Sequence, residues 1–78
     1  MFKNKNKDGS LNLCGAKIAY LRKEKGLSQR ALADRLQLDG MDLNKNAIQQ
    51  IECGRRFVTD IELKAFAGLF NVKTDDLV

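Results

Sequence analysis

Apolar residues recur with the spacing of an α-helix in four stretches of this chain, and this periodicity restricts the possible folds more than any other feature. The four apolar sets are Cys14, Ile18 and Leu21; Leu32, Ala33 and Leu36; Ala47, Ile48 and Ile51; and Leu63, Phe66, Ala67 and Phe70. Each set is followed closely by a glycine or an asparagine, the residues that most readily adopt the left-handed conformation at a helix end. No stretch alternates apolar and polar residues as a half-buried strand requires. The pattern therefore predicts an all-α fold.

Capping residues mark where the predicted helices begin. Ser28 and Asn44 precede the second and third apolar sets, and both are good N-cap residues. Thr59 is followed three residues later by Glu62, which is the pattern of a capping box. Residues 74–76 open a last short helical turn that carries the apolar C-terminal residues. We therefore expect a compact bundle of five helices, and the third helix should span about residues 44–53.

The first eleven residues differ in composition from the rest of the chain. They are rich in Lys and Asn, and Phe2 is the only large apolar residue before Leu11. This composition predicts a flexible tail over residues 1–11, followed by one domain over residues 12–78. A basic arm that lies in the minor groove of DNA is the alternative function for this segment.

The net charge of +4 is unevenly distributed along the sequence. Residues 1–56 carry 12 Lys or Arg and 6 Asp or Glu, a net charge of +6, whereas residues 57–78 have a net charge of −2. A positively charged region on a small protein favours an anionic polymer such as nucleic acid as partner. The alternative is a basic surface that only keeps the protein soluble.

Residue types that support catalysis or metal binding are scarce. The chain has no histidine and its two cysteines, Cys14 and Cys53, form no CxxC pair, so a zinc site lacks its ligands. We expect free thiols and no metal or cofactor and, because acid–base catalysis also lacks its usual groups, no enzymatic activity. No window approaches the roughly 18 apolar residues that a membrane span needs, and no apolar segment follows the N-terminal lysines, so we expect a cytoplasmic protein without membrane contact.

The third predicted helix has the side chains that DNA recognition uses. Its inward positions are apolar, and its other positions up to Glu52 carry no acidic residue. Asn and Gln can bond adenine in a bidentate way, and Lys can bond guanine. An ordinary amide-rich surface exposed to solvent is the alternative interpretation. The polar residues on this face are Lys45, Asn46, Gln49 and Gln50.

Several short motifs are similar to those of a known family. They are Ile18, Leu21-Arg22, Gly26-Leu27-Ser28-Gln29, Leu32-Ala33, Ile48, and the run from Ile51-Glu52 through Gly54-Arg55-Arg56. Together they resemble the phage-repressor-like helix-turn-helix proteins of the Xre/Cro family, and the resemblance extends over about residues 13–78. It implies a lambda-repressor-like domain that binds double-stranded DNA in a sequence-specific way, as a homodimeric repressor of transcription.

The resemblance also implies roles for individual side chains. The residues expected to contact DNA bases are Lys45, Asn46, Gln49 and Gln50. The residues expected to contact phosphates are Gln29, Asn44, Arg55 and Arg56, and Gln29 would also brace the third helix. Arg22 and Glu52 are expected to form a partly buried ion pair with a structural role, although two independent surface charges are the alternative.

The connection between the second and third helices is longer than is typical of the family. The extra segment lies around residues 39–43 and includes Asp39 and Asp42, which DNA phosphates would repel. We expect these residues to form an ordered loop, with Met41 and Leu43 against the core. This departure leaves a second function open, in which the chain is a protein-interaction adaptor or an antitoxin-like partner of another protein, with weak or no DNA binding.

Overall fold

The structure, a computed structural model, describes residues 14–77 and contains four α-helices and one 3₁₀ helix. No strand occurs within residues 14–77, and the predicted all-α, compact fold is confirmed. The predicted N-terminal tail and Val78 lie outside the described residues. The helices are α1 (Gly15–Glu24), α2 (Gln29–Leu38), α3 (Lys45–Glu52) and α4 (Asp60–Phe70), followed by the 3₁₀ helix Thr74–Asp76.

The prediction of five α-helices is wrong at the last element, which is a single 3₁₀ turn of three residues. The N–H of Leu77 donates to the carbonyl of Thr74 at 3.0 Å, which is the three-residue spacing of this tighter helix. Only three residues separate Lys73 from Leu77, whose side chain is buried in the core. One short turn is therefore enough to bring Leu77 into the core.

The apolar sets of the four helices meet in one core. Phe66 and Phe70 of α4 stack with their ring centroids 6.4 Å apart. Leu21, Ala47 and Leu63 are only partly buried and pack at the margin of this core. The core thus confirms the helical faces predicted from the sequence. Its buried members are Cys14, Ile18, Leu32, Ala33, Leu36, Leu43, Ile48, Ile51, Phe66, Ala67, Phe70 and Leu77.

Side-chain caps fix the starts of the last two α-helices where the sequence predicts them. The Oδ1 of Asn44 accepts a hydrogen bond from the N–H of Ala47 at 2.8 Å, so α3 begins at the next residue after Asn44. The Oγ1 of Thr59 accepts from the N–H of Glu62 at 3.1 Å, and a Glu62 carboxylate oxygen accepts from the N–H of Thr59 at 3.0 Å. This reciprocal pair is the predicted capping box.

The lengthened connection between α2 and α3 is an ordered loop. Gly40 has a φ of +86°, and its N–H donates to the carbonyl of Gln37 at 3.0 Å. The N–H of Met41 donates to the carbonyl of Leu36 at 2.9 Å, so that α2 ends in a Schellman motif. Met41 packs against the core and Leu43 is buried within it. The predicted packing of both residues against the core is therefore confirmed. The loop ends at Asn44, which caps α3.

Candidate nucleic-acid interface

Helix α3 has one face in the core and one face in solvent. Ile48 and Ile51 are fully buried and hold the helix against the rest of the domain. The polar positions before and between these isoleucines point the other way because a helix turns about 100° per residue. The structure therefore places the four predicted base-contact residues together on the free side of the helix. Lys45, Asn46 and Gln49 are exposed there, and Gln50 is half-buried at its edge.

The last residue of α3, Glu52, points away from this polar face and toward α1. Its Oε2 accepts a hydrogen bond from the Nε of Arg22 at 2.7 Å, and its Oε1 accepts from Nη2 of the same guanidinium at 3.1 Å. The two side chains are only 12% and 7% exposed. A third donor of Arg22, Nη1, bonds the carbonyl of Leu27 at 2.8 Å. The structure thus brings Arg22 and Glu52 together as a bidentate, part-buried ion pair.

Gln29, the first residue of α2, joins the same carboxylate. Its Nε2 donates to Oε1 of Glu52 at 3.0 Å, so the start of α2 is tied to the end of α3. The sequence resemblance implies both a bracing role and a phosphate contact for Gln29, and this hydrogen bond is the bracing contact. Glu52 thereby receives hydrogen bonds from two other helices.

These contacts offset an unfavourable position for a negative charge. Carbonyl groups are left without partners at the C-terminal end of a helix, and a carboxylate there is repelled by the helix dipole. The Arg22 guanidinium and the Gln29 amide supply charge and donors to Glu52. Glu52 therefore attaches the C-terminal end of α3 to α1 and α2, and Asn44 caps its N-terminal end.

The two arginines beyond α3 have different surroundings. Arg55 is exposed, and its N–H donates to the carbonyl of Gln50 at 2.8 Å as the chain leaves the helix. Arg56 lies against Glu62, with Nη1 at 3.2 Å from each carboxylate oxygen. The Arg56 side chain is 36% exposed and that of Glu62 is 12% exposed. Sequence reasoning placed Glu62 in the capping box and missed its second role as the partner of Arg56.

The loop before α3 carries the two acidic side chains that the sequence singles out. Asp39 and Asp42 are both exposed, and neither belongs to the polar face of α3 itself. Asn44 uses its side-chain oxygen for the helix cap. The N–H groups of the first turn of α3 point out of this N-terminal end of the helix, and such an end favours a bound anion.

No helix within residues 14–77 is long and apolar enough to cross a membrane. The same residues contain no cluster of three or more side chains suited to hold a metal ion.

Comparison with known proteins assigns the family. The family model described as helix-turn-helix matches residues 18–77, which is most of the chain. The chain therefore belongs to the helix-turn-helix family, and the Xre-like resemblance of its motifs is confirmed. Its fold and family are those of helix-turn-helix DNA-binding regulators of transcription, which are not enzymes.

A solved structure supports this assignment. The chain is similar to the restriction-modification controller protein C.AhdI from Aeromonas hydrophila, with a TM-score of 0.70 and 26% sequence identity. The similarity covers 82% of this chain and 86% of the controller protein. No curated protein sequence gives a significant match.

Proposed function

We propose that this chain is a repressor of transcription that binds a palindromic site in double-stranded DNA as a homodimer and inserts α3 into the major groove. The observation that carries the proposal is the free face of α3, where Lys45, Asn46 and Gln49 are exposed and Gln50 is half-buried at the edge, on the side away from two fully buried isoleucines. An α-helix fits the major groove, and amide and ammonium groups can bond the base edges there.

The tertiary contacts of α3 support this role because they hold the helix from both ends. A recognition helix that is already ordered loses less entropy on binding than a mobile one. Asn44 caps the start, and Arg22 and Gln29 hold Glu52 at the end. The bases would therefore be read by side chains on a rigid element.

Phosphate contacts would surround this helix and set its position in the groove. In this proposal they come from Gln29 at the start of α2, from the Asn44 end of α3, and from Arg55 and Arg56 beyond α3. Such contacts fix the orientation of the protein without reading sequence. Exposure of Arg55 and the part-exposed guanidinium of Arg56 are consistent with this arrangement.

The small size of the module supports dimeric binding. One short helix reaches few base pairs, and two copies on a palindromic site double the contacts. The two half-sites should lie about 34 Å apart, one turn of DNA, so that both helices enter the same face of the duplex. The similarity to a protein described as a controller supports a regulatory role.

One observation favours a second candidate function, that of a protein-interaction adaptor or antitoxin-like partner. Leu38 at the end of α2 is 86% exposed, and the exposed Asp39 and Asp42 follow it in the lengthened loop. Apolar and acidic side chains together suit a protein partner better than DNA. In this case duplex selection would recover no preferred sequence.

Selection of bound duplexes from random DNA tests the proposal directly. We expect a palindromic consensus, and we expect Gln50→Ala to reduce discrimination at one base position in each half-site by about 1–3 kcal/mol. Gln37→Ala is the matched control, since Gln37 is an exposed glutamine that belongs to α2 and not to α3. Recovery of random sequences, or equal effects of both substitutions, would contradict the proposal.

A further inference from the structure

The ion pair between Arg56 and Glu62 differs from that between Arg22 and Glu52 in geometry and exposure. Nη1 of Arg56 lies 3.2 Å from each carboxylate oxygen of Glu62, and Nη2 lies 3.2 Å from Oε2. Hydrogen bonds between a guanidinium and a carboxylate are usually shorter, about 2.7–2.9 Å. The Nε of Arg22 lies 2.7 Å from Glu52, and the Arg22 side chain is 12% exposed, against 36% for Arg56. The Arg56–Glu62 pair is therefore the looser of the two, and solvent reaches its guanidinium.

Glu62 has stabilising contacts other than Arg56. Its Oε1 accepts a hydrogen bond from the N–H of Thr59 at 3.0 Å, as half of the capping box. Glu62 also lies in the first turn of α4, where the helix dipole favours a negative charge. If Arg56 turned to another anion, the carboxylate would keep a hydrogen-bond donor and a favourable field. Arg56 can therefore leave Glu62 at a lower cost than Arg22 can leave Glu52, which ends α3.

A DNA phosphate would compete with Glu62 for the same guanidinium. Arg56 follows the C-terminal end of α3, and a phosphate contact is its role in the proposed function. Carboxylate and phosphate oxygens both accept paired hydrogen bonds from a guanidinium. The carboxylate of Glu62 offsets the positive charge of Arg56 and repels a phosphate that approaches it. The net contribution of Arg56 to DNA binding is therefore smaller than that of an arginine without such a neighbour.

We propose that Glu62 limits the sequence-independent affinity of this chain for DNA by competing with a backbone phosphate for Arg56. The proposal rests on the proposed function, since it takes Arg56 as a phosphate contact. Phosphate contacts raise the affinity for every duplex alike, because the phosphate backbone carries no base identity. Glu62 therefore lowers binding to all sequences, while the polar face of α3 determines which sequence is preferred.

Glu62→Gln tests the proposal because it removes the charge and keeps the cap. Glutamine fills the same position of a capping box, so α4 should begin at the same residue. Binding is measured by fluorescence anisotropy, well below the melting temperature of each variant, with a duplex that carries the selected site and a duplex with the same bases in scrambled order. We expect Glu62→Gln to raise the affinity for both duplexes by about threefold to tenfold.

Asp60→Asn is the matched control for this substitution. Asp60 is exposed in the same first turn of α4, and its replacement removes the same charge. Because exposed charges are screened by salt, Asp60→Asn should change the affinity for either duplex by less than about twofold.

The same substitution in an Arg56→Ala background separates competition from simple removal of charge. Without the guanidinium, Glu62→Gln should raise the affinity no more than Asp60→Asn does. An equal gain in both backgrounds would overturn the proposal. Unchanged or weaker binding by a folded Glu62→Gln variant would also overturn it and leave Glu62 with a structural role alone. In both cases duplex binding by the wild-type chain would leave the proposed function standing, whereas a wild-type chain that binds neither duplex would overturn that function and this proposal with it.

Discussion

Arg22 and Glu52 join the end of α1 to the end of α3 through two hydrogen bonds on one carboxylate, from Nε at 2.7 Å and from Nη2 at 3.1 Å. Thirty positions separate the two residues in sequence. The pair therefore connects two helices, α1 and α3, that are far apart in sequence. It sets where the C-terminal end of α3 lies, and so how the polar face of α3 is presented.

Removal of Glu52 should destabilise the fold. Glu52→Ala leaves the Arg22 guanidinium part-buried without its counter-charge and also removes the partner of Gln29. We expect a loss of about 2–4 kcal/mol in the free energy of unfolding, between the values typical of exposed and of fully buried pairs. Denaturant unfolding measures this change. Glu24→Ala is the control, since Glu24 is exposed at the end of α1, and it should cost no more than about 0.5 kcal/mol. Equal losses in the two variants would contradict a structural role for the pair.

Two asparagines near the start of α3 should differ in their effect on stability. Asn44→Ala removes the cap on α3 and should lower the free energy of unfolding by about 1 kcal/mol. Asn46→Ala changes an exposed side chain on the free face and should leave unfolding unchanged while it weakens binding to the selected duplex. Denaturant unfolding and fluorescence anisotropy with labelled DNA measure the two effects. If Asn46→Ala destabilised the protein as much as Asn44→Ala, the assignment of the two faces would be wrong.

The helix boundaries were largely predictable because their signals are local. Asn44 caps a helix through an N–H three residues away, and Gly40 ends one through its own φ of +86°, so a short window of sequence contains both partners. The last element was predicted wrongly for a related reason. Thr74–Asp76 has the sequence of a helix start, but the hydrogen bond that closes the turn before the buried Leu77 has 3₁₀ spacing, which the residue types do not specify.

Side-chain contacts between different elements were not predictable from local patterns. The hydrogen bond from Gln29 to Glu52 and the contact between Arg56 and Glu62 depend on how helices and loops pack, which no periodicity specifies. The pairing of Arg22 with Glu52 was expected only because the sequence resembles a known family. The free face of α3 was predictable, since its buried positions follow the helical repeat.

The two neighbouring arginines should behave differently on substitution. Arg55→Ala should reduce the slope of log K against log salt for duplex binding by about one unit and leave stability unchanged, because Arg55 is exposed. Arg56→Ala should reduce that slope and also lower the melting temperature, because it leaves the Glu62 carboxylate without the Arg56 guanidinium. Salt titrations and thermal melts distinguish the two variants. A melting temperature for Arg56→Ala equal to that of Arg55→Ala would show that the contact with Glu62 contributes no stability.

The two cysteines should differ in reactivity. Burial raises the pKa of the Cys14 thiol above its ordinary value, so Cys14 should stay protonated and unreactive in the folded protein near neutral pH. Cys53 is exposed after α3 and should react first. A thiol reagent should therefore modify one group per native chain and two per unfolded chain, and Cys53→Ser should abolish the fast reaction. Rapid modification of both thiols in the native protein would contradict the burial of Cys14.

The central claim is that α3 reads the sequence of double-stranded DNA, and the most direct test is a binding titration with two duplexes of equal length at several salt concentrations. One duplex carries the selected site and the other carries the same bases in scrambled order. We expect the selected duplex to bind at least about 10³-fold more tightly at physiological salt, with log K falling linearly as log salt rises for both. Equal affinity for the two duplexes, or binding that does not change with salt, would contradict the account.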